Sequence, residues 1–310
     1  MNELVLISGS AHPDMAAKIA AHLQLPLLDV ELGRFSDGEI NVKIRENIRG
    51  TDVFIIQPTN PPAENIMELL LIIDAVKRAS CRRVTAVIPY YGYARQDRKD
   101  QPRVPIGARV MADLITSAGA DRVLTIDLHA PQIQGFFSIP VDHLYSAPVL
   151  LRHFDDADKT NMAVVAPDVG SIKMTRSFAK RLGCPLSIID KRRPEANKAE
   201  VMNFIGDVKG KDVVIFDDMI DTAGTITQAA DVCMAEGALS VVTCATHPLF
   251  SGAALERLSR DSIREVVVSN TIPFHRHEEC PKVQVLDMSG LLSEAIVRIH
   301  NEKTVSKLFV

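Results

Sequence analysis

Short runs of apolar residues, many of them β-branched, alternate along this chain with stretches in which apolar residues recur every three or four positions. Such runs predict strands that are buried on both faces, and the recurring positions predict helices with one apolar face. Strands and helices alternate with short connections, which is typical of an α/β fold. We therefore predict mainly parallel sheets flanked by helices.

The predicted elements form two successive rounds of this alternation. In the first round, strands are predicted at 4–7, 53–57, 84–88 and 122–127, a hairpin at 34–44, and helices at 13–23, after 61–62 and at 106–117. In the second round, strands are predicted at 162–166, 186–190, 213–216, 240–245, 265–269 and 283–286, and helices at 172–182, 226–236, 253–258 and 291–300. Two rounds predict two similar domains, 1–144 and 145–300, with the tail 301–310 joined to the first.

Composition narrows the class of protein without identifying it. Hydrophobic residues make up 46% and charged residues 24% of the chain, as in ordinary globular proteins. A formal net charge of −4 argues against a general nucleic-acid-binding protein, whose surface would be basic. The five cysteines are scattered and form no C-x-x-C, which favours reduced thiols over disulfides or a zinc site. Because no signal peptide or long apolar run is present, we expect a cytoplasmic protein without a membrane partner.

The strongest chemical pattern lies between Lys211 and Gly237, which predicts a strand, an acidic loop and a helix. Asp217, Asp218 and Asp221 follow the strand, and T-A-G-T at 222–225 opens the helix. Backbone N–H groups at a helix start favour an anion, and the carboxylates can hold sugar hydroxyls or a metal. The pattern therefore predicts a sugar-phosphate site at the carboxyl end of a strand, where sites of α/β sheets lie. A capped helix beside a solvated acidic loop is the alternative.

Two loops of the first half carry further candidate chemistry. The sequence P-Y-Y-G-Y-A-R-Q-D-R at 89–98 follows a predicted strand. Its arginines can stack on a base and grip phosphate, and its glutamine can read an adenine edge. At the end of another strand, alternation predicts Asp127 and His129 on one face, where they could bind a divalent metal or position a triphosphate. A solvated loop and a structural histidine are the respective alternatives.

Two loops of the second half complete the set. The sequence A-P-D-V-G-S at 166–171 places Asp168 and a glycine turn at a helix start, which suits a diphosphate or a metal, or only a helix cap. The run K-R-R-P at 191–194 predicts a mobile basic loop able to close over developing phosphoryl charge, or a solvated face. The chain has no G-x-x-x-x-G-K-[ST], no protein-kinase motif and no G-x-S-x-G elbow.

These stretches together resemble a known family. The 217–225 stretch, D-D-M-I-D-T-A-G-T, resembles the motif that binds phosphoribosyl diphosphate (PRPP) in type I phosphoribosyltransferases and in PRPP synthetases (ribose-phosphate diphosphokinases). Ordinary phosphoribosyltransferases share only that motif. Four further stretches also resemble PRPP synthetases: F-S-D-G-E (35–39), Y-Y-G-Y-A-R-Q-D-R-K (90–99), I-D-L-H-A-P-Q-I-Q-G-F-F (126–137) and D-K-R-R-P (190–194). The chain is therefore identified as similar to that family over essentially its full length.

The resemblance implies two type I phosphoribosyltransferase-like domains and a homohexamer built from dimers. It implies transfer of the β,γ-diphosphoryl group of Mg-ATP to the C1 hydroxyl of ribose 5-phosphate, with Mg²⁺ as cofactor and AMP as the second product. It assigns ATP binding to Phe35, Asp37, Glu39, Arg95 and Gln96, of which the first three serve a neighbouring subunit's site. It assigns metal binding to His129 and Asp168, the diphosphate loop to Asp168, Val169, Gly170 and Ser171, and catalysis to Lys191 and Arg193. It assigns ribose 5-phosphate binding to Asp217, Asp218, Asp221, Thr222, Ala223, Gly224 and Thr225.

One position departs from the family pattern, and two other functions stay open at this point. The diphosphate loop of the family usually reads Asp-x-Gly-Gly, whereas this chain has Ser171 at the second glycine, where a positive φ would strain it. A phosphoribosyltransferase that consumes PRPP is one alternative, which the 89–98 loop and the basic run disfavour. A non-catalytic regulatory relative of the synthetase is the other, which the presence of His129, Lys191 and Arg193 disfavours.

Overall fold

A computed structural model describes residues 3–192 and 201–309. Its internal contacts divide the chain into two compact units. The first unit contains 1–145, 271–273 and 288–310, and the second contains 146–270 and 274–287. Each unit is built around its own sheet.

The first unit is a five-stranded parallel sheet covered by helices. Its elements in chain order are β1 (Leu4–Ser8), α1 (Pro13–Leu23), β2 (Val30–Arg34), β3 (Ile40–Ile44), β4 (Asp52–Ile56), α2 (Glu64–Arg78), β5 (Arg83–Ile88), α3 (Gly107–Ala118), β6 (Arg122–Ile126) and β7 (Val141–Leu144). The strand order is β1-β4-β5-β6-β7, and β2 and β3 form a separate antiparallel hairpin. Every residue of β4 is buried, as expected for an apolar run inside a parallel sheet.

The second unit repeats this plan with a seven-stranded sheet. Its elements are α4 (Ala147–Leu150), β8 (Met162–Ala166), α5 (Ile172–Leu182), β9 (Leu186–Arg192), β10 (Val201–Ile205), β11 (Asp212–Ile220), α6 (Gly224–Ala235), β12 (Ser240–Pro248), α7 (Ala254–Leu258), β13 (Glu265–Ser269) and β14 (Val283–Leu286). The strand order is β10-β9-β8-β11-β12-β13-β14, and among the described strands of this sheet only the β9–β10 pair is antiparallel. The predicted fold class is therefore confirmed for both units.

The C-terminal helix α8 (Ser289–His300) belongs to the first unit. It packs against α1. Arg83 Nη2 donates a hydrogen bond to the carbonyl of Ile299 at 3.2 Å, and His300 Nδ1 lies 2.9 Å from Asp52 Oδ2. The predicted first domain includes only 301–310 of this region, whereas the contacts of the first unit include 288–310.

Several predicted boundaries change in ways that matter for the site. Strand β11 continues through Asp217 and Asp218 to Ile220, so these two acids lie on a strand instead of in a loop. Strands β7 and β10 were not predicted. Strand β9 runs to Arg192, beyond the predicted end at Asp190.

Two expectations from composition can also be compared with the structure. All five cysteines are free thiols, as the sequence analysis predicted. Within the described parts of the chain, the helices are too short or too polar for any of them to cross a membrane.

Candidate active site

The acidic part of the second unit lies at the carboxyl end of β11, which pairs with β8 on one side and β12 on the other. Asp217 Oδ1 accepts a hydrogen bond from the backbone N–H of Asp218 at 2.9 Å. The side chain of Asp218 is buried. The two acids are thus brought together at the centre of the sheet, where the sequence predicted the sugar-phosphate site.

Burial raises the pKa of Asp217 well above its usual value, and the charges of Asp218 and then Asp168 raise it further. The hydrogen bond from the N–H of Asp218 acts in the opposite direction and does not offset this rise. An acidic cluster that resists ionisation is stabilised by a cation or by hydroxyl donors. The electrostatics therefore match a site for a polyhydroxyl ligand or a metal.

No ready-made metal centre accompanies these acids. Within residues 3–192 and 201–309, no three histidine, cysteine or acidic side chains converge as a complete ligand set. The carboxylates of Asp168, Asp217 and Asp218 nevertheless lie near enough for their charges to act on one another. Such oxygen donors fit magnesium, which usually keeps several waters and is completed by substrate phosphates.

The loop at 221–225 leads from β11 into α6 and has the backbone of an anion cradle. Ala223 adopts a left-handed conformation with φ 61°, and α6 begins at Gly224. The carbonyl of Ala223 accepts hydrogen bonds from the backbone N–H of Thr227 at 3.0 Å and from its Oγ1 at 2.7 Å. A turn of this kind before a helix directs successive N–H groups into one concavity. Thr222 and Thr225 are exposed beside it.

The predicted diphosphate loop lies between β8 and α5, and its serine is not strained. Ser171 has φ −82°, an ordinary helical value, so this position does not require the positive φ that would strain a serine. Its N–H donates to Asp168 Oδ1 and its Oγ donates to the carbonyl of Asp168, both at 3.0 Å. Val169 and Gly170 are exposed at the tip of the loop. Ser171 therefore ties the loop together through Asp168.

In the first unit, Arg95 and Gln96 are exposed on a loop with a firmly held backbone. The carbonyl of Gln96 accepts a hydrogen bond from the N–H of Ala108 at 3.1 Å. The N–H of Gly92 donates to Thr59 Oγ1 at 2.7 Å, and a Cβ at Gly92 would lie 2.2 Å from the carbonyl oxygen of Thr59. The close approach of the Thr59 backbone therefore requires a glycine at position 92. The loop held in this way presents the side chains of Arg95 and Gln96 to solvent.

The tip of the β2–β3 hairpin carries Phe35, Asp37 and Glu39, all of them exposed. The N–H of Phe35 donates to the carbonyl of Glu39 at 2.8 Å, and the N–H of Glu39 donates to Asp37 Oδ1 at 3.0 Å. The Phe35 side chain is 55% exposed, which is unusual for an aromatic ring. The predicted hairpin is confirmed, and it presents this ring outwards.

The structure does not place Asp127 and His129 on a common face. Strand β6 ends at Ile126, and Asp127 takes a φ of 38°, so strand alternation does not extend through these residues. Asp127 is buried, whereas His129 is exposed. The N–H of Leu128 between them donates to Nε2 of the buried His143 at 2.9 Å, which holds the turn.

The predicted catalytic pair falls at the edge of what the structure describes. Lys191 lies on β9 with its backbone in register with Met202 of β10. Arg193 lies outside the described residues. Sequence reasoning also missed Thr59 and His143, which hold two of the predicted loops. Thr59 follows β4, a position that could have drawn attention to it, whereas His143 lies on β7, which was not predicted.

Two protein-family models match the chain. One, described as the N-terminal domain of ribose phosphate pyrophosphokinase, matches residues 4–119. The other, described as the phosphoribosyl synthetase-associated domain, matches residues 191–310. Together they account for more than half of the chain.

Relatives are similar over nearly the whole length. A ribose-phosphate pyrophosphokinase of Chlorobaculum tepidum is 55% identical over 305 residues, which cover 98% of this chain and 94% of that protein. One of Thermotoga maritima is 52% identical over 313 residues, covering 99% and 98% respectively. The crystal structure of phosphoribosylpyrophosphate synthetase from Mycobacterium smegmatis superimposes with a TM-score of 0.92 at 40% identity, covering 97% of this chain and 100% of that one. The similarity spans both halves of the chain.

Proposed function

Because this chain belongs to the ribose-phosphate pyrophosphokinase family, a family of diphosphotransferases, we propose that it makes PRPP from ribose 5-phosphate. In the proposed reaction, the β,γ-diphosphoryl group of ATP moves to the C1 hydroxyl of ribose 5-phosphate and AMP leaves. The observation that supports this most directly is the acidic end of β11 followed by the cradle before α6. It joins acceptors for sugar hydroxyls to N–H donors for a phosphate.

The second unit would bind ribose 5-phosphate. Asp217 and Asp218 would accept hydrogen bonds from the ribose hydroxyls, which would offset the burial and the neighbouring charges that raise the pKa of Asp217. The 221–225 loop would hold the 5-phosphate through its backbone N–H groups and the hydroxyls of Thr222 and Thr225. Positioning of this kind is most of what phosphoryl transfer requires from a protein.

Arg95 and Gln96 of the first unit would bind ATP, with Phe35, Asp37 and Glu39 of a neighbouring subunit at the adenine.

His129 and Asp168 would hold magnesium, and the bound ion would neutralise charge on the β- and γ-phosphates. The 168–171 loop would receive the diphosphate. The firmly held backbone around Gly92 supports ATP binding by Arg95, because an exposed arginine binds phosphate better when its loop is already ordered.

We predict that Lys191→Ala lowers kcat about 100-fold while both KM values change much less, because an electrostatic donor to the transition state is lost. Initial rates of AMP release measure this, with the exposed Lys173→Ala as a control for loss of one positive charge. A Lys191→Ala enzyme that turns over at the wild-type rate contradicts the assigned role.

The proposed function is tested by incubating the purified chain with ATP, Mg²⁺ and ribose 5-phosphate. Equal amounts of AMP and PRPP are expected, and neither should form without ribose 5-phosphate. A phosphoribosyltransferase would instead consume added PRPP in the presence of a nucleobase. A regulatory relative would release no AMP alone and would change the rate of an active synthetase added to it.

Assembly and location are proposed as well. Four apolar side chains are exposed on the adjacent helices α2 and α3: Met67 at 52%, Leu71 at 36%, Val110 at 47% and Leu114 at 42%. Exposed apolar side chains on two neighbouring helices support a homo-oligomer, for which the family resemblance suggests a hexamer of dimers. Light scattering that reports a fully active monomer contradicts this. The five free thiols support a cytoplasmic location.

A further inference from the structure

The segment 249–257 leads from β12 into α7. It donates hydrogen bonds to the loop that would hold the 5-phosphate. The N–H groups of Leu249 and Phe250 both donate to the carbonyl of Ile220 at 3.0 Å. The N–H of Ser251 donates to the carbonyl of Asp221 at 2.9 Å. Successive carbonyls at the start of the loop are therefore all turned towards this segment.

The next carbonyl, that of Thr222, is held by a side chain. Arg257 Nη1 donates a hydrogen bond to it at 2.6 Å. Arg257 lies on α7 and is half-buried, so its aliphatic stem packs while its guanidinium reaches the loop. A backbone carbonyl of an exposed loop is usually satisfied by water, whereas here it is satisfied by a cation.

These bonds fix the direction of the N–H groups. In a planar trans peptide, the N–H of one residue points opposite to the carbonyl of the preceding residue. Because the carbonyls of Asp221 and Thr222 point towards 249–257, the N–H groups of Thr222 and Ala223 point away from it. The left-handed φ of Ala223 then turns the chain into α6, whose first N–H groups add to the same concavity.

We propose that Arg257 is a positioning residue for the phosphate end of the sugar substrate. Its guanidinium holds the Thr222 carbonyl out of the cradle, keeps the Ala223 N–H directed at the anion, and adds a positive charge behind the loop. This inference rests on the proposed function. It assigns to α7, which carries none of the recognised motifs, a part in binding ribose 5-phosphate.

The test compares Arg257→Met, Arg257→Lys and the control Arg260→Met. Methionine keeps most of the aliphatic stem of Arg257 without the donor. Lysine keeps the charge and a donor in a different geometry. Arg260 is three residues further along, is exposed, and pairs with Asp231 at 3.2 Å, so its loss removes the same charge without touching the loop. KM for each substrate, kcat and the melting temperature are measured for all three.

For Arg257→Met we expect KM for ribose 5-phosphate to rise about tenfold, in line with the loss of one charge-assisted hydrogen bond, while KM for ATP and kcat stay within twofold. Arg257→Lys should recover part of the loss, and Arg260→Met should match the wild type. A rise confined to ribose 5-phosphate is not expected from general destabilisation, which would affect both substrates.

Three outcomes overturn the proposal: an unchanged KM for ribose 5-phosphate in Arg257→Met, an equal rise in both KM values, or the same rise in Arg260→Met. If Arg257→Met does not fold, Arg257→Lys decides: a smaller rise confined to the KM for ribose 5-phosphate supports the proposal, and an equal rise in both KM values overturns it. A wild-type chain that makes no PRPP overturns the proposed function itself, which separates the two failures.

Discussion

Asp217 shows how a site residue can act against the stability of the fold. Its pKa in the folded chain is raised by burial and by the charges of Asp218 and Asp168. A carboxyl group with a raised pKa in the folded state stays protonated where the unfolded chain has already ionised. Stability is therefore lost as the pH rises from the ordinary carboxyl pKa of about 3.9 towards the raised value, and the loss persists above it.

We predict that Asp217→Asn raises the melting temperature of the ligand-free protein at pH 7 to 8. The gain should shrink as the pH falls below the raised pKa and should vanish below about 3, where the wild-type carboxyl is protonated in both states. Asparagine keeps an oxygen for the N–H of Asp218, so the local hydrogen bond is retained. PRPP synthesis should fall at the same time, because the proposed acceptor for the ribose hydroxyls is weakened. Thermal melts across pH measure the effect.

The control for this experiment is Asp261→Asn, which removes one negative charge at an exposed position. It should leave the melting temperature nearly unchanged at every pH. An Asp217→Asn protein that melts below the wild type at pH 7 would contradict the conclusion that the ionised Asp217 carboxyl destabilises the fold.

At the scale of elements, the buried parts of the fold could be predicted from the sequence. Helices α1 and α5 and strands β8, β13 and β14 have the predicted bounds, because apolar periodicity reports burial directly. The missed strands lack a continuous apolar run: β7 contains V-D-H-L and β10 contains V-M-N-F-I. Polar residues interrupt both segments, so their strand pattern is weak.

In the candidate site too, some features could be predicted from the sequence and others could not. The motif at 217–225 could be predicted because its residue types and spacing are themselves the signal. The relation of Asp127 to His129 could not, since the positive φ of Asp127 is a tertiary feature. The contact of Arg257 with the loop could not be predicted either, because it joins residues 35 positions apart in an otherwise ordinary short helix.

Lys282, like Arg257, is a side chain that donates hydrogen bonds to backbone carbonyls distant in sequence. Its Nζ donates to the carbonyls of Ser259, Arg260 and Ile263 at 3.1, 2.7 and 2.7 Å, just after α7 ends. We predict that Lys282→Met lowers the free energy of unfolding by about 1–2 kcal/mol, since a charged donor is removed from carbonyls at a helix end. Urea denaturation measures this. The exposed Lys180→Met should change it little, and an equal effect there would argue against the capping role.

At the scale of the whole molecule, Asp52 connects the first sheet to the end of the chain. Its side chain is only 5% exposed and accepts from Arg83 Nε at 2.8 Å and from Arg83 Nη2, while His300 lies 2.9 Å away. Strands β4 and β5 and the end of the last helix are therefore held by one carboxylate. This link adds to the packing of α8 against α1 in the first unit.

We predict that Asp52→Ala lowers the free energy of unfolding by about 3 kcal/mol, because it leaves Arg83 without its buried partner. The exposed pair of Asp74 and Arg78 provides the comparison, and Asp74→Ala should cost much less, because solvent screens an exposed ion pair. Urea titration of both variants measures the difference. Equal losses would mean that the Asp52 pair contributes no more than a surface ion pair.

The return of α8 also sets an order of events during synthesis. Every residue of the second unit lies before position 288, whereas the first unit needs residues up to 310. The ribosome therefore delivers the complete second unit while the first still lacks its closing helix. The part of the protein that is translated first is the part that finishes folding last.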